Sequence, residues 1–179
     1  MKNKNKSAEG KCKIVIEANQ VDVLTVLFSL VFNIGLILVF VLRGQRRTRA
    51  EEKLGFVFNL LIIPFVLLWL LNLLNNSDLG RLITVFPTIM FLAYDLWYRT
   101  ATKKKPQHHP TQWPLGLYIY LLLYLIGGIM LNGYAFLVSL TYGFIVLASY
   151  YGSLIAYGYY QYKHKKFKKS QKQQAIKNK

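Results

Sequence analysis

The chain has 179 residues, a net charge of +16 from 23 basic and 7 acidic side chains, and 54% hydrophobic residues. A soluble domain does not combine so much apolar sequence with so much like charge, unless the two lie in different environments. One cysteine, Cys12, excludes an intrachain disulfide and a cysteine metal cluster, and the polar residues before it do not resemble a lipid-attachment context.

The charge is segregated. All 7 acids lie at or before Asp95, and none occurs from Leu96 to Lys179. Basic patches sit at the ends of apolar runs, which makes anionic lipid headgroups a simpler counter-ion than nucleic acid. The expected fold is an all-α integral membrane protein, a five-helix transmembrane bundle over residues 21–162. It lies between a basic N-terminal tail (1–20) and a polybasic tail (163–179).

The first expected span, 23–42, is free of charge and long enough to cross a hydrocarbon core of about 30 Å. It is too long for a signal-peptide core and is followed by Arg43, Arg46, Arg47 and Arg49, a stop-transfer flank. The second span, 54–74, carries Pro64 near its middle, and Asn75 to Asp78 with Gly80 reads as a turn. The third, 82–98, contains Pro87. A polar loop punctuated by Pro106, Pro110 and Pro114 follows.

Residues 115–162 carry no charge and as one helix would be roughly 70 Å long, so the chain must reverse. Asn132-Gly133 is the best turn signal there, giving spans 115–131 and 135–159.

Lys and Arg concentrate in the first loop, in the third loop (Arg99, Lys103 to Lys105) and in the C-terminal tail. Five spans put all three on one side, so the C-terminus is expected in the cytoplasm and the protein in the plasma (cytoplasmic) membrane. The N-terminal lysines dissent. The alternative they favour is four spans, with the first segment lying along the interface and both termini inside. Trp97, Trp113, Tyr157, Tyr159, Tyr160 and Tyr162 crowd the expected cytoplasmic border, as an aromatic belt would.

Two polar faces stand out. Asp22, Thr25, Ser29 and Asn33 share one face of the first helix, and Thr84, Thr88 and Asp95 one face of the third. They either glue helices together or line a hydrated path. Asp95 is one turn from Arg99, which predicts an ion pair at that spacing. His108-His109 is the only histidine pair, and with His164 alone remaining no metal site is expected. Ala148, Gly152 and Ala156 form a small-residue face suited to internal packing or self-association. Lys163, Lys165, Lys166, Lys168 and Lys169 are candidates for contact with anionic lipid or a partner.

No cofactor is expected, and neither a phosphate loop nor a nucleophile motif is present. The leading expectation is a non-enzymatic accessory or scaffold subunit. A small transporter or channel using the two polar faces comes second, and a membrane-embedded enzyme using His108 and His109 third.

Overall fold

A backbone in hydrocarbon must satisfy its own polar groups, so long apolar runs fold as helices. The computed structural model describes residues 18–45, 47–75, 77–102 and 114–177. The described residues form six α-helices: α1 (Ala18–Gly44), α2 (Thr48–Asn59), α3 (Ile62–Leu74), α4 (Leu79–Thr102), α5 (Pro114–Val138) and α6 (Leu140–Lys177). They supply five stretches long and apolar enough to span a membrane: Asn19–Gly44, Arg49–Leu74, Leu79–Thr100, Tyr118–Val138 and Leu140–Phe167. Cys12, Lys103 to Lys105, His108, His109 and Trp113 lie outside the described residues.

The first segment does not behave as an interfacial helix. α1 packs against α2, α3, α5 and α6. Val21, Thr25, Phe32, Leu36 and Phe40 are buried along its inner face, while Leu27, Val31, Ile34 and Leu38 are exposed on the other. Such an exposed apolar face suits lipid. Lipid is as apolar as the core, so burial alone does not drive these helices together; close packing and polar contacts must.

The packing is aromatic. The Phe32 ring lies 5.3 Å from that of Phe58, 6.0 Å from Phe65 and 5.8 Å from Phe91, joining α1 to α2, α3 and α4. Phe40 lies 5.8 Å from Tyr124 and 5.2 Å from Tyr157, joining α1 to α5 and α6.

The second span is broken where Pro64 requires it. Proline has no N–H and its ring crowds the carbonyl four residues back, here that of Leu60. The chain answers with a short tighter step. Leu61 N–H donates to Phe58 O and Ile63 N–H to Leu60 O, each at 3.1 Å, and α2 ends at Asn59. Pro87, by contrast, sits inside an uninterrupted α4.

The reversal between the last two spans falls at Ser139, not at Asn132-Gly133. Asn132 is buried within α5 and Gly133 is exposed. Turn signals assume that water can take over the freed backbone groups. In an apolar surrounding they are better kept inside the helix, so Asn-Gly is carried through. The resulting α5–α6 hairpin is tight. Phe136 meets Phe144, Gly128 meets the Tyr150 ring, and Tyr124 meets Ser153.

The small-residue face of α6 is largely consumed inside the bundle. A Cβ at Gly152 would lie 3.1 Å from Ile37 of α1, and Ala156 is buried. Of the three residues proposed for self-association, only Ala148 remains exposed. The aromatic border also needs correcting. Trp97, Tyr159 and Tyr162 are exposed as a belt requires, but Tyr160 is core, packed on Phe40. Finally, α6 has 38 residues, about 57 Å at the helical rise, so residues 163–177 continue the fifth span as helix.

Candidate functional site

Polar side chains collect at the two ends of the bundle, with a third group between. At one end Asp22 of α1 is buried. One of its oxygens lies 3.0 Å from the Arg81 guanidinium of α4, and the Tyr134 hydroxyl of α5 donates to the carboxylate at 2.7 Å. Three helices therefore meet on one carboxylate. Nearby, Trp69 Nε1 donates to Leu82 O at 3.2 Å. The Asn72 amide is satisfied at both ends, donating to Leu68 O and accepting from Ser77, each at 3.1 Å.

The opposite end holds two ion pairs. Arg43, in the last turn of α1, donates from Nε to Glu51 of α2 at 2.7 Å. Its guanidinium faces the Tyr160 ring at 5.8 Å and the Phe40 ring at 6.0 Å, a cation–π arrangement. Asp95 and Arg99 form an ion pair one turn apart on α4, at 2.6 Å. The Arg99 guanidinium lies against α2 where Gly55 has no side chain; a Cβ there would come within 2.5 Å of it. Buried pairs of this kind stabilise only when both partners are present, because a lone buried charge is costly.

Between the ends, the α1 polar face is spent in two ways. Thr25 and Ser29 donate to carbonyls of their own helix, Val21 O at 2.8 Å and Thr25 O at 2.7 Å. Asn33 crosses, donating to Ser149 Oγ of α6 at 2.9 Å. On α4, Thr84 bonds Arg81 O at 2.9 Å, and Thr88 reaches Gly127 O of α5 at 3.4 Å. Tyr124 and Ser153 pair at 2.7 Å, a link between α5 and α6. The two polar stripes thus do not meet as one lining. Asp22 and Asp95 sit at opposite ends, each with its own arginine.

Of the tail lysines, Lys163, Lys165 and Lys166 are exposed, with Lys163 Nζ 5.6 Å from the Tyr159 ring. No group of three or more His, Cys, Asp or Glu that could hold a metal occurs among the described residues.

Sequence reading missed Arg81, Tyr134, Glu51, Ser149 and the bare surface at Gly55. Two of these had a signal. Arg81 is the one basic residue of its loop and begins its span at the end where Asp22 begins α1. Glu51 lies eight residues after Arg43 across a short corner. Tyr134 and Ser149 had none, because periodicity does not say which neighbour a face meets.

The fold and the polar clusters define a multi-pass membrane protein of five candidate spans. No protein-family model, no curated protein and no solved structure matches the chain.

Proposed function

We propose that this protein is a non-enzymatic accessory or scaffold subunit whose intramembrane polar residues hold the bundle together and whose basic end engages the cytoplasmic side. One observation carries the reading. Asp22, Asn33 and Thr88 spend hydrogen bonds on other helices, and Thr25, Ser29, Thr84 and Asp95 spend theirs within their own. A conduit would instead turn such groups toward a shared passage.

The cytoplasmic assignment follows from the basic side chains. Arg47, Arg49, Lys53, Lys163, Lys165 and Lys166 are exposed at the end of the bundle that holds Arg43 and Arg99. Loops rich in Lys and Arg stay on the cytoplasmic side, and an anionic leaflet attracts them at about 1 kcal/mol per residue. Helical continuity of α6 supports a docking role, since it offers the lysines on a preformed element.

The test is co-purification from native membranes in mild detergent. The intact chain is compared with a variant carrying Lys163, Lys165, Lys166, Lys168 and Lys169 all changed to Gln. The reading expects a reproducible protein partner or bound anionic lipid, reduced in the variant. Retention of nothing by either form removes its support.

A further inference from the structure

Asn59 is the last residue of α2, near the middle of the second span. Its side chain is 2% exposed. Both its Oδ1 and its Nδ2 are buried without a hydrogen-bond partner, the one such amide among the described residues. Leaving an amide unpaired in apolar surroundings costs several kcal/mol on transfer scales, so such groups generally hold a partner.

The backbone at the same point is short of a donor too. Ile63 N–H donates to Leu60 O, which Pro64 cannot serve. In an unbroken helix Ile63 would have served the Asn59 carbonyl. One residue therefore presents an amide NH2, an amide oxygen and a carbonyl oxygen that has lost its usual donor.

The surroundings favour hydration over an ion. Asn59 shares a helix face with Gly55 and Glu51, at spacings of four and eight. Gly55 carries the Arg99 guanidinium that bonds Asp95, one turn nearer the membrane border. A bare cation needs several oxygens and would be repelled by the NH2. Water donates and accepts, and it matches an amide that offers both.

We propose that Asn59 and the proline break of the second span form an internal water site. The water takes a bond from Nδ2 and gives bonds to Oδ1 and the Asn59 carbonyl. The break is thereby a hydrated point in mid-membrane. The inference is independent of the scaffold reading: a scaffold and a transporter can each carry such a site.

Water-edited solid-state NMR on the full chain in lipid nanodiscs tests it, with asparagine side chains labelled with nitrogen-15. Asn72 is the protein-bonded internal reference, buried at 1% with both amide ends bonded to protein. Asn59→Leu assigns the signal by its disappearance, and Asn59→Gln serves if the leucine variant does not fold. The Asn59 amide is expected to gain water polarisation at least about threefold faster than Asn72, as an ordered buried water requires. Build-up no faster than at Asn72 overturns the proposal. So does a dominant transfer from lipid protons.

Discussion

Asp22 and Arg81 lie 59 positions apart in the chain and meet at 3.0 Å, fastening the start of α1 to the start of α4. Tyr134 adds a third helix through the same carboxylate. Removing one partner leaves the other charge in a poorly solvated place. Asp22→Asn should therefore destabilise the bundle by about 3 kcal/mol, the low end for a broken buried pair because Arg81 is partly exposed. Thermal unfolding in detergent measures it. Asp22→Asn combined with Arg81→Gln should cost less than the sum of the single changes. Strict additivity would show that the contact contributes nothing.

The Asp95–Arg99 pair depends on a glycine of another helix. Gly55→Ala puts a methyl group into the space of the Arg99 guanidinium, and α2 or the arginine must shift. The expected cost is about 1 kcal/mol, the low end for added volume, because the guanidinium is the far end of a flexible side chain. Asp95→Asn should lower stability modestly, and Asp95→Asn with Arg99→Gln should recover part of the loss. In a Gly55→Ala background that recovery should shrink, because the pair is already disturbed. An unchanged recovery would mean that α2 does not press on Arg99.

The polar face of α1 should split into two kinds of position. Thr25 and Ser29 donate to their own helix, so Thr25→Val and Ser29→Ala should cost less than a change at Asn33. Asn33 reaches α6, so Asn33→Leu should cost about 0.6–1.7 kcal/mol, the range for polar contacts between membrane helices. Unfolding by denaturing detergent ranks the three. A larger loss at Thr25 than at Asn33 would contradict the contacts described.

Orientation is open to direct labelling. In a Cys12→Ser background, a membrane-impermeant thiol reagent added to intact cells should modify Asp78→Cys and spare Lys166→Cys, both exposed positions. Labelling of Lys166→Cys alone would invert the assignment.

Helix number and type were legible because a charge-free run of span length has few other solutions in a bilayer. The Asp95–Arg99 pair was legible because helical spacing alone brings the two side chains together. Contacts between helices were not. Asp22 sits on a recognisable stripe, yet nothing along that stripe indicates Arg81 or Tyr134. The Asn132-Gly133 turn misled because local turn chemistry weighs water as a partner, whereas the hairpin at Ser139 is closed by contacts between helices such as Gly128 with the Tyr150 ring. Pro64 and Pro87 looked alike in sequence. Only the first breaks its helix, and the helix rule that flags both does not separate them.

The central claim is that the polar faces of α1 and α4 are spent on protein hydrogen bonds, within and between helices, and line no path. Proteoliposomes containing the purified chain and a pH-sensitive dye test this most directly, with a potassium gradient and a potassium carrier imposing a membrane potential. The predicted result is a proton leak equal to that of protein-free vesicles, for the unaltered chain and for Asn33→Leu alike. Protein-dependent flux that falls with Asp22→Asn or Asn33→Leu, in variants that remain folded, would contradict the scaffold reading and establish the polar faces as a conduit.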